Sequence, residues 1–208
     1  MTRLFSLFFY ATAQQQRHCL VTGLLAVLLA FVSINGIAAQ APQTHTGVFL
    51  VATPQLHGTG FQQSVILITH YSEQGATGLT INRPSDIPLR RAFPSVRQLQ
   101  QNNEPLFLGG PVNQSAVFVL TRTNSPIENM RHIVDDIYFT AGHYIQTDIL
   151  SLRSRVFAGY AGWAPGQLQH EIDRGDWLIV HTNADIIFAD DLDTLWADLF
   201  KAWSGTWL

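Results

Sequence analysis

The stretch Phe157–Glu171, FAGYAGWAPGQLQHE, contains three glycines, two large polar aromatics and a proline. Residues 155–163, RVFAGYAGW, are apolar or aromatic after Arg155, which predicts a strand. Pro165 then stands where a helix tolerates proline, and Gln167–Asp173 predicts about two helical turns that end near Gly175. A chain that turns from strand into helix this sharply needs a positive φ or a close backbone approach, and glycine permits both.

Short apolar runs rich in β-branched and aromatic residues surround this stretch, and each predicts a strand. The run at 64–71 is apolar enough to indicate burial on both faces. A seven-residue turn joins it to the run at 79–84, which predicts an antiparallel hairpin. The predicted strands are 47–54, 64–71, 79–84, 105–108, 116–122, 137–142, 155–163 and 177–182.

The remaining segments predict few helices. Residues 85–103 read as a short helix inside a loop, 124–135 as a connector, and 143–153 as a helical stretch. A final amphipathic helix presents Leu192, Leu195, Trp196, Leu199 and Trp203 at helical spacing, with Asp190 or Asp191 as its cap. We predict a single α+β domain on a mostly antiparallel sheet, with this Trp-Leu face docked on the sheet.

Residues 1–39 form a leader of different composition, followed by a short linker at 40–46 and the domain at 47–208. Arg17 precedes an apolar core at 20–34, and Ala38 and Ala39 offer a peptidase site, which is typical of a signal peptide. The apolar run at 19–39 is also long enough for an uncleaved membrane anchor. Either reading predicts the periplasm or the inner membrane; a wrongly assigned start would return the protein to the cytoplasm.

The charge balance argues against nucleic acid as a partner. The chain has 12 basic and 15 acidic residues, but residues 1–39 hold two of the basic ones and none of the acidic ones. The domain therefore carries ten basic against 15 acidic side chains, without the basic surface that a polyphosphate needs. We expect its arginine clusters to be ordinary solvated charges: Arg90, Arg91, Arg97, Arg153 and Arg155.

The sequence contains no recognisable catalytic, metal or cofactor motif. Its single cysteine, Cys19, excludes an internal disulfide and a thiolate zinc site. The seven histidines beyond it form no His-Glu-x-x-His pattern, and neither Gly-x-Ser-x-Gly, Walker nor Gly-x-Gly-x-x-Gly spacing occurs. The adjacent carboxylates Asp135–Asp136 and Asp190–Asp191 read as a turn and a helix cap. We therefore predict no catalytic residue, no metal and no cofactor.

The glycine-rich turn is best explained as scaffold, with a binding edge as the second interpretation. If a ligand surface exists, we expect three turns to gather at one end of the sheet. Its residues would be Asn82, Arg83, Gly109, Gly110, Tyr160, Trp163 and Gln167. Arg83 would meet an anionic ligand or, as we favour, an internal carboxylate.

Taken together, these motifs resemble the AlgH/YqgE family of bacterial proteins. The resemblance rests on the segments at 47–54, 61–71, 73–84, 105–112, 159–177 and 186–200, which cover nearly the whole domain. It implies a compact α+β fold with a small, branched or barrel-like sheet surrounded by helices. It implies no catalytic residues, although the family carries a transcriptional-regulator label from a link to alginate control. Members are thought cytosolic and lack such a leader, and "HGTG" at 57–60 stands where the family has an acidic residue.

Three functional hypotheses follow from these observations. The first is a non-enzymatic binding or assembly protein with a regulatory role, whose partner is a protein or a small ligand. The second is a small-molecule enzyme that uses Arg83 with a carboxylate or histidine. The third is a transcriptional regulator, although the acidic domain argues against direct DNA binding. The sequence indicates no oligomeric state, and membrane contact is expected only through residues 19–39.

Overall fold

The computed structural model describes residues 44–142, 152–181 and 183–204. All of them belong to one compact unit, Pro42–Leu208. The predicted leader and most of the predicted helical stretch at 143–153 lie outside the described residues. No helix within the described ranges is long and apolar enough to cross a membrane.

Ten strands and four short helices make up the described part of the chain. The strands are β1 (Val48–Ala52), β2 (Val65–Ser72), β3 (Gly75–Thr80), β4 (Pro84–Pro88), β5 (Pro105–Leu108), β6 (Val112–Arg122), β7 (Arg131–Val134), β8 (Ile137–Ala141), β9 (Arg153–Trp163) and β10 (Trp177–His181). The helices are α1 (Leu89–Ala92), α2 (Gln167–Asp173), α3 (Ala184–Ile187) and α4 (Leu195–Ser204), with 3₁₀ turns at Pro54–Leu56 and Arg97–Leu99. Each predicted strand has a counterpart, but the one predicted at 79–84 is displaced: β3 runs from Gly75 to Thr80, so it includes part of the predicted turn, and residues 81–83 lie outside any strand. The predicted helix at Gln167–Asp173 has those bounds.

One branched, mostly antiparallel sheet contains every strand. The main path runs β10-β1-β2-β3-β9-β6-β8-β7, and β4 joins through β5. The predicted β2–β3 hairpin is present, with Leu67 opposite Leu79. Among the described pairs, only β5 and β9 run parallel, with Phe107 opposite Phe157. The α+β, mostly antiparallel prediction is therefore confirmed.

The branch lies on β9, the strand that opens the quoted stretch. Along one edge β9 pairs with β6, from Arg153 onward. Along the other edge its middle pairs with β5 and its end pairs with β3, where Trp163 lies opposite Ala76. Gly159, with φ of 68°, separates these two parts, and Gly166, with φ of 73°, precedes α2. The expected positive φ thus occurs at two glycines of this stretch.

The sheet curls strongly but remains open, so the barrel-like alternative is wrong and the branched one is right. At the curl, a Cβ added to Gly47 would lie 2.9 Å from the carbonyl oxygen of Ile133 in β7. The guanidinium of Arg131, also in β7, donates to the carbonyl of Thr69 in β2. Side-chain and van der Waals contacts therefore bring β7 back over β1 and β2, while the described strand pairs do not close the ring.

Three hydrophobic clusters hold the layers together. The largest lies inside the curl and includes Phe49, Leu120 and Phe157. A second packs α2 against β1, β2 and β10, and a third covers the outer face of β6 and β9 beneath α1. Burial of these apolar faces is the main stabilising contribution to such a fold.

Three details differ from the sequence predictions. β4 lies in the segment read as helix and loop, and β7 lies in the segment read as a connector. The final helix begins only at Leu195, and Asp191 accepts hydrogen bonds from the amides of Asp193 and Thr194 in the turn before it. Its docked face is shorter than expected, because Trp203 is 52% exposed.

Candidate functional site

Asn82 and Arg83 follow β3 and hold the loop that leads into β2. The side chain of Asn82 accepts from the amide of Val65 and donates to the carbonyl of Gln63, both at 2.9 Å. Arg83 donates to the carbonyls of Gly60 and Gln62 and to the hydroxyl of Ser64. The prediction that Arg83 meets an internal carboxylate is therefore wrong, because its partners among the described residues are neutral oxygens. Burial lowers the pKa of Arg83.

Gly109 and Gly110 lie where three strands come together. Gly109 donates from its amide to the carbonyl of Ala158 and accepts from the amide of Thr80, both at 2.9 Å. A Cβ on Gly109 would overlap the carbonyl of Gly159, and one on Gly110 would overlap the backbone of Tyr160. Close backbone packing requires glycine at both positions of this turn, which favours the scaffold interpretation.

Trp163 and Gln167 converge on one carboxylate, that of Glu171 in α2. The indole Nε1 atoms of Trp163 and Trp177 both lie 2.8 Å from its Oε2 atom, and Nε2 of Gln167 lies 2.9 Å from its Oε1 atom. Gln167 also accepts from the amide of Ala164 at 3.0 Å. Trp163 is buried, so this group ties α2 to β9 and β10.

The structure does not bring the seven predicted residues into one site. Trp163 pairs with Ala76 at the start of β3, whereas Asn82 follows the end of that strand. Four residues of extended chain, roughly 13 Å, lead from Ala76 to Thr80, and Asn82 lies in the turn beyond. Tyr160 lies between them, edge-on to Phe118 with ring centroids 5.8 Å apart. Ligand binding by any of these residues stays a prediction.

A cleft of about 250 Å³ lies elsewhere, at the start of β9. It opens just before the start of β5, so that the first residues of β9 have β6 on one side and the cleft on the other. Its walls come from three separate segments: residues 89–104, 152–156 and 188–190. The residues that line it include Leu89, Leu99, Asn102, Glu104, Arg153, Ser154, Arg155, Val156, Phe188 and Asp190.

Arg155 is half-buried at this cleft and is fixed on several sides. Its Nη1 atom lies 2.7 Å from the carbonyl oxygen of Ile187, and its Nη2 atom donates to the carbonyl of Ala189. The guanidinium carbon lies 4.9 Å from the ring centroid of Phe107 and 5.6 Å from that of Phe188. Arg155 thus satisfies carbonyls at the end of α3, which otherwise lack partners within the helix.

The rim of the cleft carries charges of both signs. Arg153 donates to the carbonyl of Phe188 at 3.1 Å, and its guanidinium carbon lies 5.4 Å from the ring centroid of Phe188. Burial lowers the pKa of Arg155, and the positive charge of Arg153 lowers it further, whereas Asp190 and Glu104 oppose the shift. The three other charged groups of the cleft therefore all act on Arg155.

Sequence reasoning missed this cleft and misjudged Arg155. Arg90, Arg91, Arg97 and Arg153 are exposed, as expected of solvated charges, but Arg155 is not. One signal was available: Arg153 and Arg155 are two apart in a strand and so lie on one face, toward the side of Phe157. The acidic and apolar walls gave no such signal, because they are distant in sequence.

The histidines show no metal-binding arrangement in the described part of the chain. No group of three or more His, Cys, Asp or Glu side chains there could hold a metal ion. His45 and His181 face each other with ring centroids 6.3 Å apart, and His132 lies edge-on to Tyr138 at 5.3 Å. Nδ1 of His45 and Nε2 of His132 lie at hydrogen-bond distance from backbone carbonyls, at 2.7 and 2.8 Å.

The fold and the cleft together define a single-domain α+β protein with a small polar cleft beside an open, branched sheet. The family model described as AlgH-like matches residues 49–207. The chain therefore belongs to the AlgH-like family.

Its relatives include two curated bacterial proteins that carry the family designation UPF0301. The one from Cytophaga hutchinsonii is 30% identical over 167 residues, which cover 76% of this chain and 90% of the relative. The one from Saccharophagus degradans is 35% identical over 156 residues, covering 72% and 77% of the two chains.

Two solved structures have the same fold. The crystal structure of a protein from Corynebacterium diphtheriae is 28% identical, covers 79% of this chain and 90% of its own, and superposes with a TM-score of 0.68. The solution structure of the AlgH protein from Pseudomonas aeruginosa is 26% identical, covers 80% and 93%, and gives 0.64.

Proposed function

We propose that this AlgH-like protein is a non-enzymatic binding protein with a regulatory role, and that the cleft at the start of β9 is its ligand site. The observation that carries the proposal is the fixed position of Arg155 beside an open volume. Two carbonyls and two aromatic rings hold its guanidinium before any ligand arrives. A side chain that is already ordered loses little entropy on binding, which favours affinity.

The chemistry of the cleft supports binding more than turnover. A guanidinium remains protonated and cannot serve as a general base at working pH. Arg155 also commits donors to Ile187 and Ala189, so it supplies shape and positive potential rather than a transferable proton. The hydroxyl of Ser154 lies 3.2 Å from that of Thr121, which assigns it a place in the sheet.

A regulatory role would follow if ligand occupancy changed the neighbouring helices. The residues that Arg153 and Arg155 hold, 187–189, connect α3 to the segment that leads into α4. A ligand that contacted these arginines would act directly on that connection. The structural change on ligand binding would then occur on the helical side of the domain, where a partner protein would recognise it.

The proposal extends to the cell envelope on the strength of the leader. Arg17, the apolar core at 20–34 and the alanines at 38 and 39 support export or anchoring. We expect the intact mass of the protein from fractionated cells to match a chain that begins near Gln40 in a soluble envelope fraction, or the full-length chain in the membrane fraction. A cytosolic species that begins close to Gly47 would contradict this part of the proposal.

The ligand site is tested by ligand-observed NMR on the full chain with a mixed set of small anions, cations, zwitterions and neutral polar compounds. Asn102→Trp should fill the cleft and abolish binding, whereas Asn103→Trp, at the exposed neighbouring position, should not. Glu104→Trp on the rim provides a second filled variant if Asn102→Trp folds poorly. Mass analysis of the same mixtures after incubation should show no conversion.

Two results would contradict the proposal. Binding that survives in both filled variants would place the ligand site elsewhere. Conversion of a bound compound by the wild-type chain, and not by the filled variants, would make the cleft an active site and the protein an enzyme.

A further inference from the structure

We infer that the cleft at the start of β9 recognises a small zwitterion with an apolar substituent, that is, a free α-amino acid with an apolar side chain. This inference rests on the proposed function, because it assigns a ligand class to the same site. It is carried by three features of the lining: balanced charge, an apolar floor and small volume.

The charges that line the cleft balance. Arg153 and Arg155 contribute two positive charges, and Glu104 and Asp190 contribute two negative charges. A polyanion would meet both carboxylates, and a polycation would meet both arginines, so each would suffer repulsion along with attraction. A molecule that carries one charge of each sign a few bonds apart finds a partner for both.

The individual groups suit an ammonium and a carboxylate. A guanidinium has five N–H donors in a planar fork, so Arg153 can hold the carbonyl of Phe188 and still present donors to a ligand carboxylate. Glu104 and Asp190 are exposed on the rim and are acceptors for an ammonium group. The half-buried Arg155 adds positive potential from behind Arg153.

The floor of the cleft is apolar. Leu89, Leu99, Val156 and Phe188 line it, and each is no more than 3% exposed. These side chains belong to the outer cluster on β9 and to the end of α3, so the structure holds them in place. Because these residues are already almost fully buried, an aliphatic side chain placed on this floor would remove mainly its own apolar surface from water.

The volume sets an upper limit on ligand size. Pockets for drug-sized ligands measure about 300–1,000 Å³, and this cleft, at about 250 Å³, falls below that range. A nucleotide or an oligosaccharide would not be enclosed. A free amino acid with a branched aliphatic side chain has a size that the cleft can surround.

The experiment compares leucine with two derivatives that each lack one charge. Isothermal titration of the full chain with leucine, N-acetyl-leucine and leucine amide separates the contributions of the ammonium and the carboxylate. We expect leucine to bind and each derivative to bind at least about tenfold more weakly, since each loses a charge-assisted hydrogen bond.

Variants assign the two charges to the protein. Arg153→Gln should weaken leucine binding by about tenfold or more, and so should the double variant Glu104→Gln/Asp190→Asn. The matched controls are Arg91→Gln and the double variant Glu128→Gln/Asp86→Asn, at exposed positions outside the cleft, and these should bind leucine as the wild type does. Thermal midpoints of all variants show whether each remains folded.

The outcomes separate this inference from the proposed function. If N-acetyl-leucine binds as tightly as leucine, the cleft is an anion site; if leucine amide does, it is a cation site. Either result, or binding of only non-zwitterionic compounds from the mixed set, overturns the ligand class and leaves the binding function standing. If no compound of any class binds, the proposed function itself fails.

Discussion

Trp163 and Trp177 stand edge to face, with ring centroids 6.1 Å apart, and donate their indole N–H groups to the same carboxylate oxygen of Glu171. Trp163 ends β9, Trp177 begins β10, and Glu171 lies in the helix between them. Both rings are buried, so the carboxylate satisfies two donors that would otherwise be costly to desolvate. One side chain therefore sets how the strand, the helix and the next strand pack.

Removing this carboxylate should be costly. Glu171→Ala leaves both indole N–H groups without their acceptor, and we expect a loss of about 2–4 kcal/mol in the free energy of unfolding. Glu171→Gln keeps an acceptor oxygen and should lose less. Urea unfolding followed by tryptophan fluorescence measures both.

Asp173→Ala is the matched control for Glu171, because it removes a carboxylate from the same helix. Asp173 is exposed and accepts from Gln169. It also lies at the helix C-terminus, where negative charge is unfavourable, so its loss should be nearly neutral. Equal effects of Glu171→Ala and Asp173→Ala would show that the shared carboxylate contributes nothing particular.

The glycines differ sharply in what a methyl group would meet. Gly110→Ala places a Cβ into the backbone of Tyr160 and Ala161, and we expect it to cost about 2–4 kcal/mol. Gly60 has no atom within 4 Å of the added Cβ, so Gly60→Ala should change stability by between zero and about 1 kcal/mol in the stabilising direction. Thermal unfolding of the two variants beside the wild type tests this, and comparable destabilisation by both would refute the close-packing explanation.

Local pattern predicted most of the fold because most strands are solid apolar runs. Val48–Ala52 and the first five residues of β2 are fully buried, so their composition alone identified them. β4 was not predicted because Pro84–Pro88 has a proline at each end and only one apolar residue, Ile87, between them. β7 escaped because it is four residues long and begins with Arg131 and His132, beside the turn at Asp135.

The cleft could not be predicted from local sequence pattern, for a different reason. Its walls meet only because β5 runs parallel to β9 and begins beyond the first residues of β9, a contact between segments about fifty residues apart in sequence. The expectation that three turns gather at one end of the sheet failed for the same reason, because it also depends on contacts between distant segments. The register that places Trp163 opposite Ala76 sends Asn82 to the far end of β3, and no motif spacing encodes that register.

Arg155 should stabilise the helical side of the domain in a way that lysine cannot replace. Arg155→Gln removes bonds to the carbonyls of Ile187 and Ala189 and two aromatic contacts, and we expect a loss of about 2–4 kcal/mol. Arg155→Lys keeps the charge but lacks the planar fork, so it should recover only part of this loss.

Hydrogen exchange measured by mass spectrometry locates the effect of Arg155. Peptides that cover residues 184–204 should exchange faster in Arg155→Gln, while peptides from β1 and β2 should change little. Arg91→Gln, at an exposed arginine, is the control and should leave both regions as in the wild type. Faster exchange spread evenly over the domain would argue against a local role for Arg155.

Arg122 bridges two carboxylates of unequal burial, and these two ion pairs should differ in their contribution to stability. Its Nε atom lies 2.8 Å from Oδ2 of Asp136, and its Nη1 atom lies 2.7 Å from Oδ1 of Asp185 in α3. The hydrogen bond that Arg122 donates to Asp136, and then the one that it donates to Asp185, raises the pKa of Arg122, so the guanidinium is charged at any working pH. The side chain of Asp136 is 23% exposed and that of Asp185 is 84% exposed.

Because water screens the outer pair more than the inner one, Asp136→Asn should lower the denaturation midpoint more than Asp185→Asn does. Added salt should reduce the small effect of Asp185→Asn and leave that of Asp136→Asn nearly unchanged. The denaturant guanidinium chloride is a salt and would itself screen the ion pairs, so the measurement is urea unfolding at low and at high sodium chloride concentration. If the two variants prove equally destabilising and equally salt-sensitive, both pairs behave as surface ion pairs and Arg122 does not anchor α3 to the sheet.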